Sequence, residues 1–185
     1  MQVRPATRAD VEAVYDLHVA SIRAFGPESY DERQVTAWAE TEFRGPDEQY
    51  PVGEPGHHFV VACVDRPVGG PRNRAPSETS RELAGDLAGF GHLAVEECEV
   101  RAVYVHPEHA RVGVGSALLA HLEGVAYGRE LTELELTASA NAVRFYESAG
   151  YEAIEGTVHA TSGGGMEAEL EVVRMGKELP RASVG

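Results

Sequence analysis

Hydrophobic and polar positions alternate with two different periods along this chain, and the periods predict its helices and strands. Apolar side chains recur every three or four residues from Val11 to Phe25, which predicts a first helix. Thr7 and Asp10 form a capping box in front of it, and Asp31 and Gln34 repeat that pattern before a short second helix. A short strand, QVR, precedes both helices.

Runs of β-forming residues dominate the middle of the chain. The segment HHFVVACVD is apolar throughout, which is typical of a strand buried on both faces. LAGFGHLAV and CEVRAVYV predict two more strands, and the alternation in LTELELTA predicts another. Helical spacing returns in VGSALLAHLEGV and SANAVRFYESAG, and two last strands are predicted near residues 157–160 and 169–175.

The predicted order is β-α-α-β-β-β-α-β-α-β-β, an α/β (α+β) arrangement in which a mixed sheet carries helices on both faces. A chain of 185 residues suits a single core. We therefore predict one domain over residues 1–179, followed by a tail at 180–185. Residues 66–82 are polar and rich in Pro and Gly, so we expect a mobile loop insertion there.

The charge balance narrows the range of partners. Asp and Glu total 30 against 16 Lys and Arg, a formal net charge of -14, which disfavours nucleic acid and anionic membranes. Lys177 is the only lysine, and such an acidic, lysine-poor composition resembles that of proteins from salt-loving cells. The start lacks an apolar signal region, and we expect Cys63 and Cys98 to be reduced thiols, so a cytoplasmic protein is predicted.

Two glycines, Gly113 and Gly115, stand where the third helix is predicted to begin, although glycine weakens a helix interior. The first backbone N–H groups of a helix lack internal partners and lie at the positive end of its dipole. Without side chains there, an anion such as a phosphate approaches those donors closely. A Walker loop is excluded because no lysine follows, and a dinucleotide fingerprint is excluded because Leu118 replaces its third glycine.

The neighbouring residues extend this anion-binding pattern. The segment VYVHPEHARVGVGSALL resembles the acetyl-CoA-binding signature of the GNAT superfamily of N-acetyltransferases, and NAVRFYESAGY is similar to its second signature. The element order matches as well, so the resemblance covers nearly the whole chain and implies a mostly antiparallel sheet of about seven strands. Ala110 departs from the usual Arg or Gln, which implies weakened rather than lost binding, with Arg111 as a substitute positive charge.

The resemblance implies a binding residue for each part of acetyl-CoA. Val103 and Val105 would offer backbone groups to the pantetheine and the thioester oxygen, and Asn141 would hydrogen-bond the pantetheine arm. The pyrophosphate would be held by the segment Arg111, Val112, Gly113, Val114, Gly115 and Ser116.

The resemblance also implies the catalytic groups. Tyr146 stands at the position of the general acid that protonates the leaving thiolate, although a half-buried core aromatic is the alternative. Glu99 stands where several family members carry a catalytic glutamate acting through water, and a solvated strand glutamate is the alternative. His92 and His58, on neighbouring strands, are substitutes for the base.

The implied function is N-acetyl transfer from acetyl-CoA to a primary amine, by direct transfer in a ternary complex. A non-catalytic acyl-CoA-binding regulatory module is the alternative. The acceptor would be a small-molecule or protein amine shaped by the first two helices, including Tyr30 and Trp38, and by the loop TSGGG. Acidity favours cationic acceptors such as polyamines or aminoglycosides. Family members often dimerise, which implies a homodimer as one option.

No metal is expected. The adjacent pair His57 and His58 lies on a predicted strand, and a proline and a loop separate His106 from His109. Neither pair has the helical spacing of zinc enzymes.

Overall fold

The computed structural model describes residues 1–41, 50–64 and 86–180, which form one sheet with four helices. The insertion expected at 66–82 lies outside the described residues, as do residues 181–185 of the expected tail. The helices are α1 (Val11–Phe25), α2 (Glu32–Ala39), α3 (Val114–Gly128) and α4 (Val143–Ser148). The strands are β1 (Gln2–Pro5), β2 (His57–Val64), β3 (Asp86–Ala94), β4 (Glu99–Val105), β5 (Glu133–Ser139), β6 (Glu152–Gly163) and β7 (Met166–Glu178).

The sheet confirms the predicted fold class. Its seven strands run in the order β1-β2-β3-β4-β5-β7-β6, and every neighbouring pair is antiparallel except β4 and β5. The sequence order of the elements is the predicted one. Helices α1 and α2 cover one face of the sheet, and α3 and α4 cover the other.

Strand β2 shows why the sheet is buried on both faces. Val60 and Ala62 point into the core beneath α3, whereas Phe59 and Val61 pack with the residues of α1. Because successive strand residues face opposite sides, a strand between two helical layers must be apolar at every position. The continuous hydrophobic run of this segment is the sequence signal of that double burial.

The starts of α1 and α2 follow the predicted caps. The Thr7 amide donates to the Asp10 carboxylate at 2.8 Å, and Asp31 and Gln34 exchange backbone-to-side-chain hydrogen bonds at 2.8 and 3.0 Å. These bonds satisfy N–H groups that a helix start leaves without partners. The Asp10 carboxylate also accepts hydrogen bonds from both terminal nitrogens of Arg4, at 2.9 and 2.8 Å. These bonds connect β1 to the start of α1.

Two glycines on β3 let α3 lie close to the sheet. A Cβ atom added at Gly89 would meet the Tyr104 carbonyl oxygen at 2.7 Å and the Leu118 side chain at 2.8 Å. At Gly91 it would meet Leu122 at 3.0 Å. The start of α3 therefore reaches the end of β4 only because these two positions have no side chain.

The terminal hairpin is longer than predicted. The prediction covered residues 157–160 and 169–175, whereas β6 and β7 extend over Glu152–Gly163 and Met166–Glu178. Strand β6 is exposed along most of its length, so the apolar alternation that marks a half-buried strand is weak there. Its far end pairs with the chain just after α2, through an isolated β-bridge between Thr41 and Gly163.

Lys177, the only lysine, connects three elements of the fold. Its Nζ donates to Glu123 on α3 at 2.8 Å and to the Ala149 carbonyl after α4 at 2.8 Å, and it lies 5.4 Å from the centroid of the Tyr151 ring. The Lys177 and Glu123 side chains are only 22% and 21% exposed.

Replacing Lys177 with methionine is expected to lower the free energy of unfolding by about 2 kcal/mol, because a shielded carboxylate and a carbonyl lose their donor. Urea denaturation measures the loss. The control is Arg23→Met, which breaks an exposed pair with Glu40 and should change stability by less than about 0.5 kcal/mol. Equal losses in the two variants would contradict this role of Lys177.

Candidate functional site

Strands β4 and β5 separate soon after they begin to pair. Their parallel pairing is confined to Glu99 with Glu135 and Val100 with Leu136. Arg101 is the extra residue of a bulge on β4, where the register with β3 shifts. Beyond the bulge β4 keeps β3 as its strand partner, so backbone groups on its other edge face an open cleft. Val103 and Val105 lie along this edge, with their side chains packed against the core beneath α3.

The glycine segment follows β4 directly and ends at the start of α3. Arg111 and Gly113 both adopt left-handed backbone conformations, with φ of 62° and 91°. The amide of Ala117 donates to the Gly113 carbonyl at 3.0 Å, which is the first hydrogen bond of the helix. The N–H groups of residues 113–116 come before this bond and project from the helix end. This geometry fits an anion such as a phosphate.

Gly113 and Gly115 have different structural roles. Gly113 has open space around it, and its positive φ is the conformation that glycine adopts without strain. At Gly115 an added Cβ would lie 3.4 Å from the ring of Phe145 on α4 and from Val105 on β4. Gly115 therefore brings the helix start close to both neighbours, and Gly113 shapes the turn.

The side chains of the segment are mostly exposed. Val112 is 71% exposed, and Ser116 is also exposed, whereas Val114 is buried in the core. The guanidinium of Arg111 is 86% exposed and lies 3.8 Å from the Glu28 carboxylate. This loose contact leaves the Arg111 charge beside the helix start, near any anion bound there.

Asn141 lies at the far side of the cleft with an unsatisfied acceptor. Its Oδ1 atom is buried and has no hydrogen-bond partner, which is costly unless a ligand supplies a donor. The preceding residue is anchored, because the Ala140 amide donates to the Tyr30 hydroxyl at 2.9 Å and that hydroxyl donates to the Glu171 carbonyl at 2.6 Å. The orphaned oxygen fits the amide N–H of a pantetheine arm.

Tyr146 is buried on α4, and its environment favours the protonated phenol. Its ring packs at 4.9 Å from Phe145 and 5.8 Å from Tyr151, centroid to centroid. Burial raises its pKa above the ordinary tyrosine value, and the nearby Tyr104 hydroxyl adds to this effect. The phenol therefore keeps its proton at neutral pH and is able to donate it.

Glu99 lies at the closed end of the cleft. Its carboxylate accepts a hydrogen bond from Arg101 Nε at 3.0 Å. Tyr104 follows five residues later, roughly 16 Å along the strand. The structure brings Asn141 to the open part of the cleft and Tyr146 close to Tyr104, but it leaves Glu99 at the other end of β4.

The two alternative bases are tied to other groups. His92 is buried on β3, with its Nε2 atom 3.0 Å from Nδ1 of His57 and its ring stacked on Phe59. His58 stacks on His121 of α3, with ring centroids 5.8 Å apart. Across residues 1–41, 50–64 and 86–180, no three His, Cys, Asp or Glu side chains form a metal-binding group.

A second cavity lies on the opposite face of β4, beside the first two helices and the start of the TSGGG segment, where the sequence analysis expected an acceptor. Its volume is about 310 Å³, and its walls come from α1, α2, β4 and β6, with His18, Trp38, Tyr104 and His159 among them. Trp38 and Tyr30 were both expected near an acceptor. Trp38 lines this cavity, whereas Tyr30 lies beneath Ala140. Tyr104 borders the cavity and lies on β4 between Val103 and Val105, so this strand separates the cavity from the cleft.

A family model described as an acetyltransferase (GNAT) domain matches residues 55–153, more than half of the chain. The matched range contains the cleft, the glycine segment, Asn141 and Tyr146. The chain belongs to the GNAT family of acetyltransferases. The GNAT resemblance predicted from the sequence is thus confirmed, and so is the prediction of a GNAT-type acyltransferase. Comparison with curated proteins gave no match.

Solved GNAT structures share this fold. A GCN5-related N-acetyltransferase from Rhodopseudomonas palustris is 24% identical, with 96% of this chain and 95% of that chain covered and a TM-score of 0.73. A phosphinothricin acetyltransferase from Sinorhizobium meliloti, in complex with AcCoA, is 17% identical, with 100% and 91% covered and a TM-score of 0.65. Spermidine N-acetyltransferase from Vibrio cholerae, in complex with CoA and spermine, is 16% identical, with 96% and 94% covered and a TM-score of 0.60.

Within the described ranges, no helix is long and apolar enough to cross a membrane. Both cysteines are free thiols, Cys63 buried and Cys98 partly exposed.

Proposed function

We propose that this GNAT enzyme transfers the acetyl group of acetyl-CoA directly to a primary amine in a ternary complex, within one domain spanning residues 1–179. The observation that carries the proposal is the meeting of two openings at Tyr104. The β4–β5 cleft opens along the free edge of β4 at Val103 and Val105, and the cavity of α1 and α2 has Tyr104, the residue between them, in its wall. Direct transfer requires two substrates to approach one point from opposite sides.

The cleft supplies the binding groups for acetyl-CoA, which brings an activated acetyl thioester. The free edge of β4 at Val103 and Val105 would pair with the pantetheine, and Asn141 Oδ1 would accept from a pantetheine amide. The N–H groups at residues 112–116 would hold the pyrophosphate, with Arg111 adding a positive charge. Ala110 contributes no charge, so main-chain donors carry most of this contact.

Tyr146 would protonate the departing thiolate. Its buried phenol keeps its proton at neutral pH, and a positioned acid of this kind is effective where a thiolate develops in a shielded site. The role of Glu99 as general base stays a prediction, since its carboxylate faces Arg101 at the closed end of the cleft. We further propose a cytoplasmic enzyme, where Cys63 and Cys98 would stay reduced.

Calorimetric titration with acetyl-CoA tests the cofactor site. The wild-type protein should bind it, and Asn141→Ala should weaken binding about tenfold, because the buried acceptor that pairs with the ligand is lost. Ser148→Ala, an exposed hydroxyl on α4, is the matched control and should leave the Kd unchanged. Absence of wild-type binding in both low and high salt would overturn the proposed function.

A further inference from the structure

His18 occupies a special position in the wall of the 310 Å³ cavity. Its Nδ1 atom lies 2.8 Å from the Tyr50 hydroxyl, and its ring packs edge-on against Tyr104 at 4.2 Å between centroids. Its Nε2 atom is buried and has no hydrogen-bond partner. A buried ring nitrogen without a partner is costly, and it points to a ligand group that completes the pair.

The same cavity is aromatic and uncharged in the part that the structure describes. None of its described lining residues is Asp, Glu, Lys or Arg, although the whole chain carries a net charge of -14. Tyr15, Trp38 and Tyr104 supply flat apolar surfaces. Among the described residues, the acidity of the chain therefore does not extend to the lining of this cavity.

We propose that His18 Nε2 accepts a hydrogen bond from the attacking amine, and that the acceptor is a small primary amine with a flat, apolar body held against Trp38 and Tyr104. This inference rests on the proposed function, because it assigns the acceptor of the same reaction. The cavity volume lies at the lower end of the range for ligand pockets, which fits a small acceptor.

The hydrogen bond at Nδ1 determines what Nε2 is able to do. When Nδ1 carries the proton and donates it to Tyr50, Nε2 has a free lone pair that is able to accept an amine N–H. The lone pair of the amine then stays available for attack on the thioester. The opposite tautomer would donate to that lone pair and block attack, so Tyr50 acts as a positioning residue for His18.

The uncharged lining favours the free base of the amine. Burial lowers the pKa of His18 to about 4, so the imidazole is neutral at pH 7 and positions the amine rather than removing its proton. An ammonium group gains less from facing an aromatic ring than it loses when its charge is buried without a partner. A polyamine, whose remaining charges need carboxylates, fits this lining poorly.

Two amines of opposite character test the acceptor class by calorimetry, on the full chain with and without CoA. We expect 2-phenylethylamine to bind at least tenfold more tightly than 1,4-diaminobutane. His18→Phe, which keeps a flat ring without nitrogens, should weaken 2-phenylethylamine binding about tenfold and leave the Kd of acetyl-CoA unchanged. His18→Gln, which returns an acceptor near the Nε2 position, should restore part of the loss.

The control is His121→Phe, because His121 lies on α3, on the opposite face of the sheet, and should not affect amine binding. Unchanged binding of 2-phenylethylamine to His18→Phe would show that His18 only packs, and would overturn the proposal. Tighter binding of 1,4-diaminobutane, or binding of neither amine, would also overturn it. Failure of the proposed function differs, since acetyl-CoA would then not bind while 2-phenylethylamine still did.

Discussion

Replacing Tyr146 with phenylalanine is expected to lower kcat by a factor on the order of 10² to 10⁴, while the Kd of acetyl-CoA changes by less than about twofold. The hydroxyl group is the only part of the side chain removed, so the ring contacts with Phe145 and Tyr151 remain. The departing thiolate would lose its proton donor, whereas the cleft that binds the cofactor would keep its shape. Thiol release from acetyl-CoA measures the rate, and calorimetry measures the binding.

Tyr151→Phe provides the matched control, because it removes a phenol of the same core that lies near Glu123 rather than near Tyr104. Its kcat should stay within about twofold of wild type. Unchanged kcat in Tyr146→Phe would contradict the general-acid role, and a parallel loss of acetyl-CoA binding would indicate a structural role instead. A wild-type protein that binds acetyl-CoA but turns over no amine would favour the regulatory-module alternative.

Replacing Gly89 with alanine is expected to destabilise the fold by about 3 kcal/mol, at the upper end of ordinary overpacking costs. The new Cβ would meet the Tyr104 carbonyl oxygen at 2.7 Å, Leu118 at 2.8 Å and Val114 at 3.0 Å. Relief requires α3 and the end of β4 to move away from β3, so the glycine segment that joins them would also lose its position at the cleft. We therefore expect weaker acetyl-CoA binding together with the lower stability.

Urea denaturation and calorimetry measure the two effects of Gly89→Ala. Gly124→Ala on α3 is the control, because an added Cβ there meets nothing within 4 Å. It should stabilise the protein by roughly 0.5–1 kcal/mol, as alanine is the better helix former. Equal stability of Gly89→Ala and wild type would show that α3 shifts without cost, and would contradict the close-packing role of Gly89.

Local patterns allowed much of the fold and of the cofactor site to be predicted. The Thr7–Asp10 and Asp31–Gln34 caps depend on residues three apart, so they are legible in the sequence and recur as hydrogen bonds. The uninterrupted apolar run of β2 indicates a strand that is buried on both faces. The segment from Arg111 to Ser116 and Asn141 lie in short signatures, whose residues would act through backbone groups or one side chain each under the proposed function.

Contacts between segments distant in the sequence could not be predicted in this way. The signature around Tyr146 indicated a catalytic tyrosine, but its burial against Tyr151 and the core beneath α3 depends on how α4 packs on the sheet. Glu99 was selected by its strand position, whereas a bulge at Arg101 and the parallel pairing with β5 determine where that strand opens. Bulges and strand partners leave no periodic signal in one sequence.

The sequence alone therefore determined the order of elements, the helix starts, the double burial of the central strands and the glycine turn before the third helix. These properties depend on neighbours a few residues apart, where periodicity and capping operate. Only the tertiary structure decided which residues line the 310 Å³ cavity. His18 and Tyr50 are 32 positions apart, and Tyr104 lies on another strand. Their joint burial depends on how helix α1 packs on the sheet, which no local pattern encodes.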